Sequence, residues 1–158
     1  MITSANIAAI ANNNNFKDKE LLKDLCTLFE DKKEAVQFIH LYGEYCELMD
    51  DLVDEEKNIE RIEKAGRLRM DISVHPYWLK WCGQLAIVER LIHNQYFDMV
   101  IWEQADEIWK RRDARALNHC AYLMLFSIIL IEFGDETLKK FSLRFRNHAH
   151  ERHINDSI

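Results

Sequence analysis

The sequence predicts an all-α protein, a single bundle of about six helices, and three observations carry that prediction. The 158 residues contain one Pro and four Gly, too few for the many turns of a sandwich or barrel. Apolar residues recur three and four positions apart through most of the chain, which is the helical period. No internal repeat and no Pro- or Ser-rich linker divides it, so 16–150 is expected to be one helical domain. A flexible N-terminal segment (1–15) should precede it and a polar tail (151–158) follow it.

The polar tract Asn12 to Asn15 cannot bury itself and precedes the first helix, Phe16 to Phe29, with Leu21, Leu22, Leu25, Leu28 and Phe29 on its apolar side. Asp31 is a candidate cap for a second helix reaching about Glu56. Its apolar positions Phe38, Leu41, Tyr42, Tyr45, Leu48, Met49, Leu52 and Val53 fill an arc of about 160°. The opposite arc holds Glu44, Glu47, Asp50, Asp51 and Asp54. Asn58 to Met70 is expected to be a shorter helix with a seam of Ile59, Ile62, Ala65 and Leu68. His75-Pro76 marks a break, since the residue before Pro avoids the helical region and Pro suits the first helical position. A long helix should then run towards Arg112, with His93-Asn94 as a candidate interruption. Asp113 is read as the cap of a helix over Ala114 to Phe133, which Gly134 stops. A last helix starts at Asp135 and carries Leu138, Phe141, Leu143 and Phe145.

The second helix carries the most informative segment, Tyr45 to Glu55. Asp50 and Asp54 stand one turn apart, Asp51 lies three residues before Asp54, and Glu47 sits a turn earlier. Residues three and four apart are neighbours on a helix, so these like charges repel unless water or a cation screens them. Oxygen-rich clusters suit Mg²⁺, which bridges one or two carboxylates to substrate phosphates. The same pattern is also what the wet side of any amphipathic helix shows.

Asp50-Asp51-x-x-Asp54, after Tyr45-Cys46 and before Glu55, resembles the first aspartate-rich motif of class I isoprenoid synthases, in particular the squalene/phytoene synthase group. That resemblance implies an all-α core in which these aspartates bind Mg²⁺ and a prenyl diphosphate, whose pyrophosphate departs. It also implies a second metal motif on a later helix. Asn94-x-x-x-Asp98 matches its first two positions, and Trp102 stands where the third acid belongs. Trp102 and Trp109, seven apart, would share a face with Asp98 and set it at a partly buried interface. A second family is similar over shorter motifs. All-α nucleotide pyrophosphohydrolases use paired acidic helices of the kind that Glu44-x-x-Glu47 and Glu103-x-x-Asp106 spell.

A diphosphate site needs cations as well as metal. Arg67 and Arg69 are the nearest candidates after the acidic helix, although exposed arginine is the common case. The aromatics Tyr42, Tyr45, Tyr77, Trp78 and Trp81 could line a pocket, but at helical spacing they read more simply as core. His119 reads as a core histidine, and His148, His150 and His153 lack the spacing of a zinc helix. No Gly-rich phosphate loop or nucleophile elbow is present. The four cysteines are scattered through apolar runs, which suits a reducing, cytoplasmic setting. With 21 basic against 27 acidic residues, net −6, nucleic acid is not an expected partner. The apolar run Ala121 to Ile131 is too short for a membrane span. Two functions from different classes result. One is a Mg²⁺-dependent protein acting on a diphosphate-containing small molecule. The other is a catalytically silent helical module that binds partners or forms a homo-oligomer.

Overall fold

A computed structural model describes residues 19–54, 58–117 and 120–155 of the chain. The side chains of Lys19, Leu22, Asp54, Arg115, Ala116 and residues 146–155 lie outside that description, as do residues 1–18 and His119 altogether. The described residues form seven helices and no strand: α1 (Lys19–Leu28), α2 (Lys33–Asp54), α3 (Ile59–Val74), α4 (Pro76–Glu103), α5 (Ile108–Leu117), α6 (Tyr122–Phe133) and α7 (Asp135–Asn155). The chain divides into two compact units between Cys82 and Gly83, a point inside α4.

In the first unit, α2 packs on α3. Phe38 is the centre of its core: fully buried, it meets the rings of Tyr42 at 6.0 Å, His75 at 5.6 Å, Tyr77 at 5.5 Å and Trp78 at 6.1 Å. One ring in the second turn of α2 thus reaches the junction between α3 and α4 and the start of α4. Asn58 caps α3, its side-chain oxygen accepting from the Glu60 N–H at 2.8 Å, so that one orphan donor of the first turn is satisfied. The seam of α3 differs from the expected one. Ala65, Leu68 and Ile72 are buried, whereas Ile59 and Ile62 are exposed. The 65/68/72 spacing defines one side of the helix, and the first two isoleucines project from another. On α2, Val53 is likewise exposed. Asp31 does not cap α2; it lies in the turn before Lys32, and the helix begins at Lys33.

In the second unit, α6 packs on α7. Met124, Leu125, Ile128 and Ile129 form the buried side of α6, and Phe145 of α7 meets Tyr122 at 5.2 Å and Phe126 at 5.6 Å. Gly134 ends α6 at φ 82°, ψ 177°, with its N–H donating to the Leu130 carbonyl. That backbone conformation is essentially restricted to glycine, so α7 can start at once.

The count rises from six to seven helices at two places. α4 passes through His93-Asn94 unbroken but stops at Glu103, and Asp113 lies inside α5 rather than capping a helix. No Pro or Gly marks the break after Glu103. Instead, Nη1 of Arg111 donates to the carbonyls of Ala105 at 2.8 Å and Asp106 at 3.1 Å, while Trp102 and Trp109 meet edge to face at 5.8 Å. A long-reaching guanidinium and a ring pair stabilise the turn that local propensity does not encode.

Candidate functional site

The acidic side of α2 faces cations from α3. Lys64 pairs with Glu44 at 2.8 Å and Arg61 approaches Asp51 at 4.0 Å. Pairing a later residue of α3 with an earlier one of α2 requires the two helices to run antiparallel. The antiparallel register of α2 and α3 therefore determines which carboxylates meet a cation. Asp50 is half-buried, and Glu47 and Asp51 are exposed; the side chain of Asp54, the third member of the motif, lies outside the described residues. Among the described residues, no three His, Cys, Asp or Glu side chains gather as they would around a metal ion.

The candidate phosphate-binding arginines are occupied differently from one another. Arg67 is exposed and pairs with Glu63 one turn back on its own helix. Arg69 is half-buried, with its guanidinium 5.7 Å from the centre of the Trp78 ring. It completes the aromatic core by a cation–π contact. Of the aromatics considered for a pocket, Tyr42, Tyr45 and Tyr77 are buried, and Phe38 joins Tyr42, Tyr77 and Trp78 in one cluster. The core reading is the one they fit.

Asn94 and Asp98 stand on α4 in the second unit, so the two halves of the expected metal site belong to different units. Both side chains are exposed. Trp109 is on α5, beyond the break, and is itself exposed. The shared face of Trp102, Trp109 and Asp98 therefore does not form, because it assumed an uninterrupted helix. Of the alternative acidic pair, Glu44 is engaged by Lys64, and Glu103 ends α4 while Asp106 lies in the break.

His75 is perturbed by its surroundings. Burial lowers its pKa, and the nearby Glu34 carboxylate works in the opposite direction. Its Nδ1 accepts from the Tyr77 N–H at 3.2 Å, a bond that needs the neutral imidazole. This is a helix-joining role. Burial also raises the Cys26 thiol, which keeps it protonated and unreactive at neutral pH.

The feature that the metal-motif reading overlooked is apolar. α3 exposes Ile59, Ile62, Met70 and Val74, and α4 exposes Leu79, Ile87, Leu91, Phe97 and Ile101. The signal was present in the sequence, since α4 has large apolar residues around its whole circumference. Here Tyr77, Leu85, Ile92 and Met99 are buried on one side only. No helix among the described residues is long and apolar enough to cross a membrane. Comparison with known protein families, with curated proteins and with solved structures returns no match for this chain.

Proposed function

We propose that this chain is a helical interaction module that self-associates through the outward apolar faces of its helices. One observation carries the reading: α3 and α4 each leave a line of large apolar side chains in solvent, with Ile59 81% and Met70 69% exposed on α3. Scattered apolar residues need no explanation, but lines along helices mark contact surfaces. Free thiols at Cys26, Cys46, Cys82 and Cys120 support a reducing, cytoplasmic setting for it. The test is mass as a function of concentration by analytical ultracentrifugation, for the wild type and for Met70→Glu and Ile87→Glu. Association that grows with concentration, and weakens with at least one substitution at unchanged helicity, is the expected result. A monomer at every concentration overturns the reading.

A second reading keeps the aspartates of α2 as a Mg²⁺–diphosphate site, in a protein similar to isoprenoid synthases. What favours it is the run of Glu47, Asp50 and Asp51 beside the Arg61 guanidinium, an arrangement able to hold both a cation and a phosphate oxygen. Thermal unfolding with Mg²⁺ and pyrophosphate tests it, because a ligand that binds only the folded state raises the midpoint. A rise that disappears in Asp50→Asn and Asp54→Asn supports a metal site. No rise removes it, and with it the prenyl diphosphate.

A further inference from the structure

The outer face of α4 is complementary to a copy of itself. At about 100° per residue, Ile87, Arg90, Leu91, Asn94, Phe97, Asp98 and Ile101 fall within one arc of about 120°, with Asn94 at its middle. All are exposed: Ile87 is 66%, Leu91 50%, Phe97 56% and Ile101 65% open to solvent. Counting outward from Asn94, the face mirrors in chemistry. Four residues away stand Arg90 and Asp98, opposite in charge. Three away stand Leu91 and Phe97, and seven away Ile87 and Ile101, both pairs apolar.

We propose that a second copy of this chain docks antiparallel on this face, with the two-fold axis beside Asn94. This rests on the interaction reading above and names its surface, direction and register. Arg90, Asn94 and Asp98 form one ridge at four-residue spacing. Helices most often pack with such ridges aligned, crossing at about −50°. When two identical ridges run in opposite directions, Arg90 of each copy lies beside Asp98 of the other, and the two Asn94 amides meet at the axis. Leu91 and Phe97 lie on opposite sides of this ridge, each beside its own counterpart in the partner, and close the two flanks. A parallel pairing would instead set Arg90 against Arg90 and Asp98 against Asp98, which is repulsive. The two charges are also available for the purpose. Among the described residues, neither Arg90 nor Asp98 has a salt-bridge partner, and eight residues along one helix separates them too far to pair within the chain. The arrangement is a closed, isologous pair.

Sedimentation velocity on the full chain tests the pairing through two charge reversals. Arg90→Asp faces acid with acid and Asp98→Arg faces base with base, so each variant alone should dimerise about tenfold more weakly than wild type. Mixed one to one, the two variants should form a heterodimer of near wild-type affinity. Both of its crossed contacts join Asp to Arg. The orientation is read from the single variants, because a parallel pair already sets like against like in the wild type and would not be weakened by either reversal. The double variant Arg90→Asp/Asp98→Arg should likewise return to wild-type behaviour. A wild-type monomer at all concentrations overturns the pairing together with the broader reading. A wild-type dimer indifferent to both reversals, but dissociated by Met70→Glu, overturns the pairing alone and moves the contact to α3.

Discussion

The two units solve the same problem, closing a pair of adjacent helices, with different materials. In the first, the junction from α3 to α4 is His75-Pro76, and the ring of Phe38 reaches it from α2. In the second, the junction from α6 to α7 is the single residue Gly134 in a conformation closed to side chains. The cores differ in the same way, aromatic around Phe38 and largely aliphatic along α6. So do the charges. Glu44–Lys64 and Asp51–Arg61 join two helices of the first unit, while Lys139 of α7 pairs with Asp135 and Glu136 of its own first turn. In the first unit ion pairs as well as rings cross between helices; in the second, Phe145 crosses to Tyr122 and Phe126, and the backbone of Gly134 makes the junction. An acidic helix inside such a cross-linked unit has a structural use for its carboxylates that needs no metal.

The largest effect that would sharpen this contrast is removal of the Phe38 ring. It contacts three elements at once, so Phe38→Ala should lose about 3–5 kcal/mol through burial lost and cavity left. In the second unit, Ile128→Ala removes a smaller and equally buried side chain, and about 2–4 kcal/mol is expected. Urea unfolding measures both. A greater loss at Ile128 would mean that the aromatic cluster is not the main support of its unit.

Next in size is the junction itself. Gly134→Ala should cost about 1–3 kcal/mol, because φ 82° with ψ 177° is strained for any residue with a Cβ. The site has open space around the new methyl, so sterics with neighbours would not add to the loss. At the other junction, Pro76→Ala gives up only a pre-set first helical residue, and its cost should be smaller. Equal costs would erase the distinction between a backbone-made and a side-chain-made junction.

Acid should weaken the first junction selectively. Burial depresses the His75 pKa below its unfolded value of 6.5, so the unfolded chain binds the proton more readily. The contribution is complete above pH 6.5 and is lost as pH falls through the folded pKa. The wild type should therefore lose stability below that value, and His75→Gln, which keeps an acceptor without titrating, should lose less over the same range. Parallel pH profiles would show that the imidazole is not the sensitive group.

These features mark what the sequence made legible. Helical class, the stop at Gly134, the break at His75-Pro76 and most of the α2 core follow from local patterns that need no tertiary partner. The break after Glu103 does not, since it depends on Arg111 reaching back to two carbonyls and on one Trp–Trp contact. Asp113 was misread for the same reason: a good capping residue is only a cap where the helix happens to end. The exposed side of α3 was hidden by a seam that looks continuous until packing selects Ala65, Leu68 and Ile72. The acidic cluster was plain in the sequence. That Lys64 and Arg61 would face part of it depends on the antiparallel register of α2 and α3, which no single helix reveals.

The smallest predicted effect addresses that register directly. Glu44 and Lys64 are both substantially exposed, so their pair should be worth only about 0.2–1 kcal/mol. A double-mutant cycle with Glu44→Gln and Lys64→Met isolates it from the packing of either stem. The pair should weaken with added salt, since water reaches both groups. The control is Asp135→Asn with Lys139→Met, an exposed pair confined to one helix, for which coupling should stay at the lower end of that range. If Glu44 and Lys64 couple more strongly than the control, the Phe38 core holds the two helices closely enough to align surface charges. If both cycles give zero, the apolar contacts alone set the register, and the basic side of α3 leaves the α2 carboxylates open to a cation from solution.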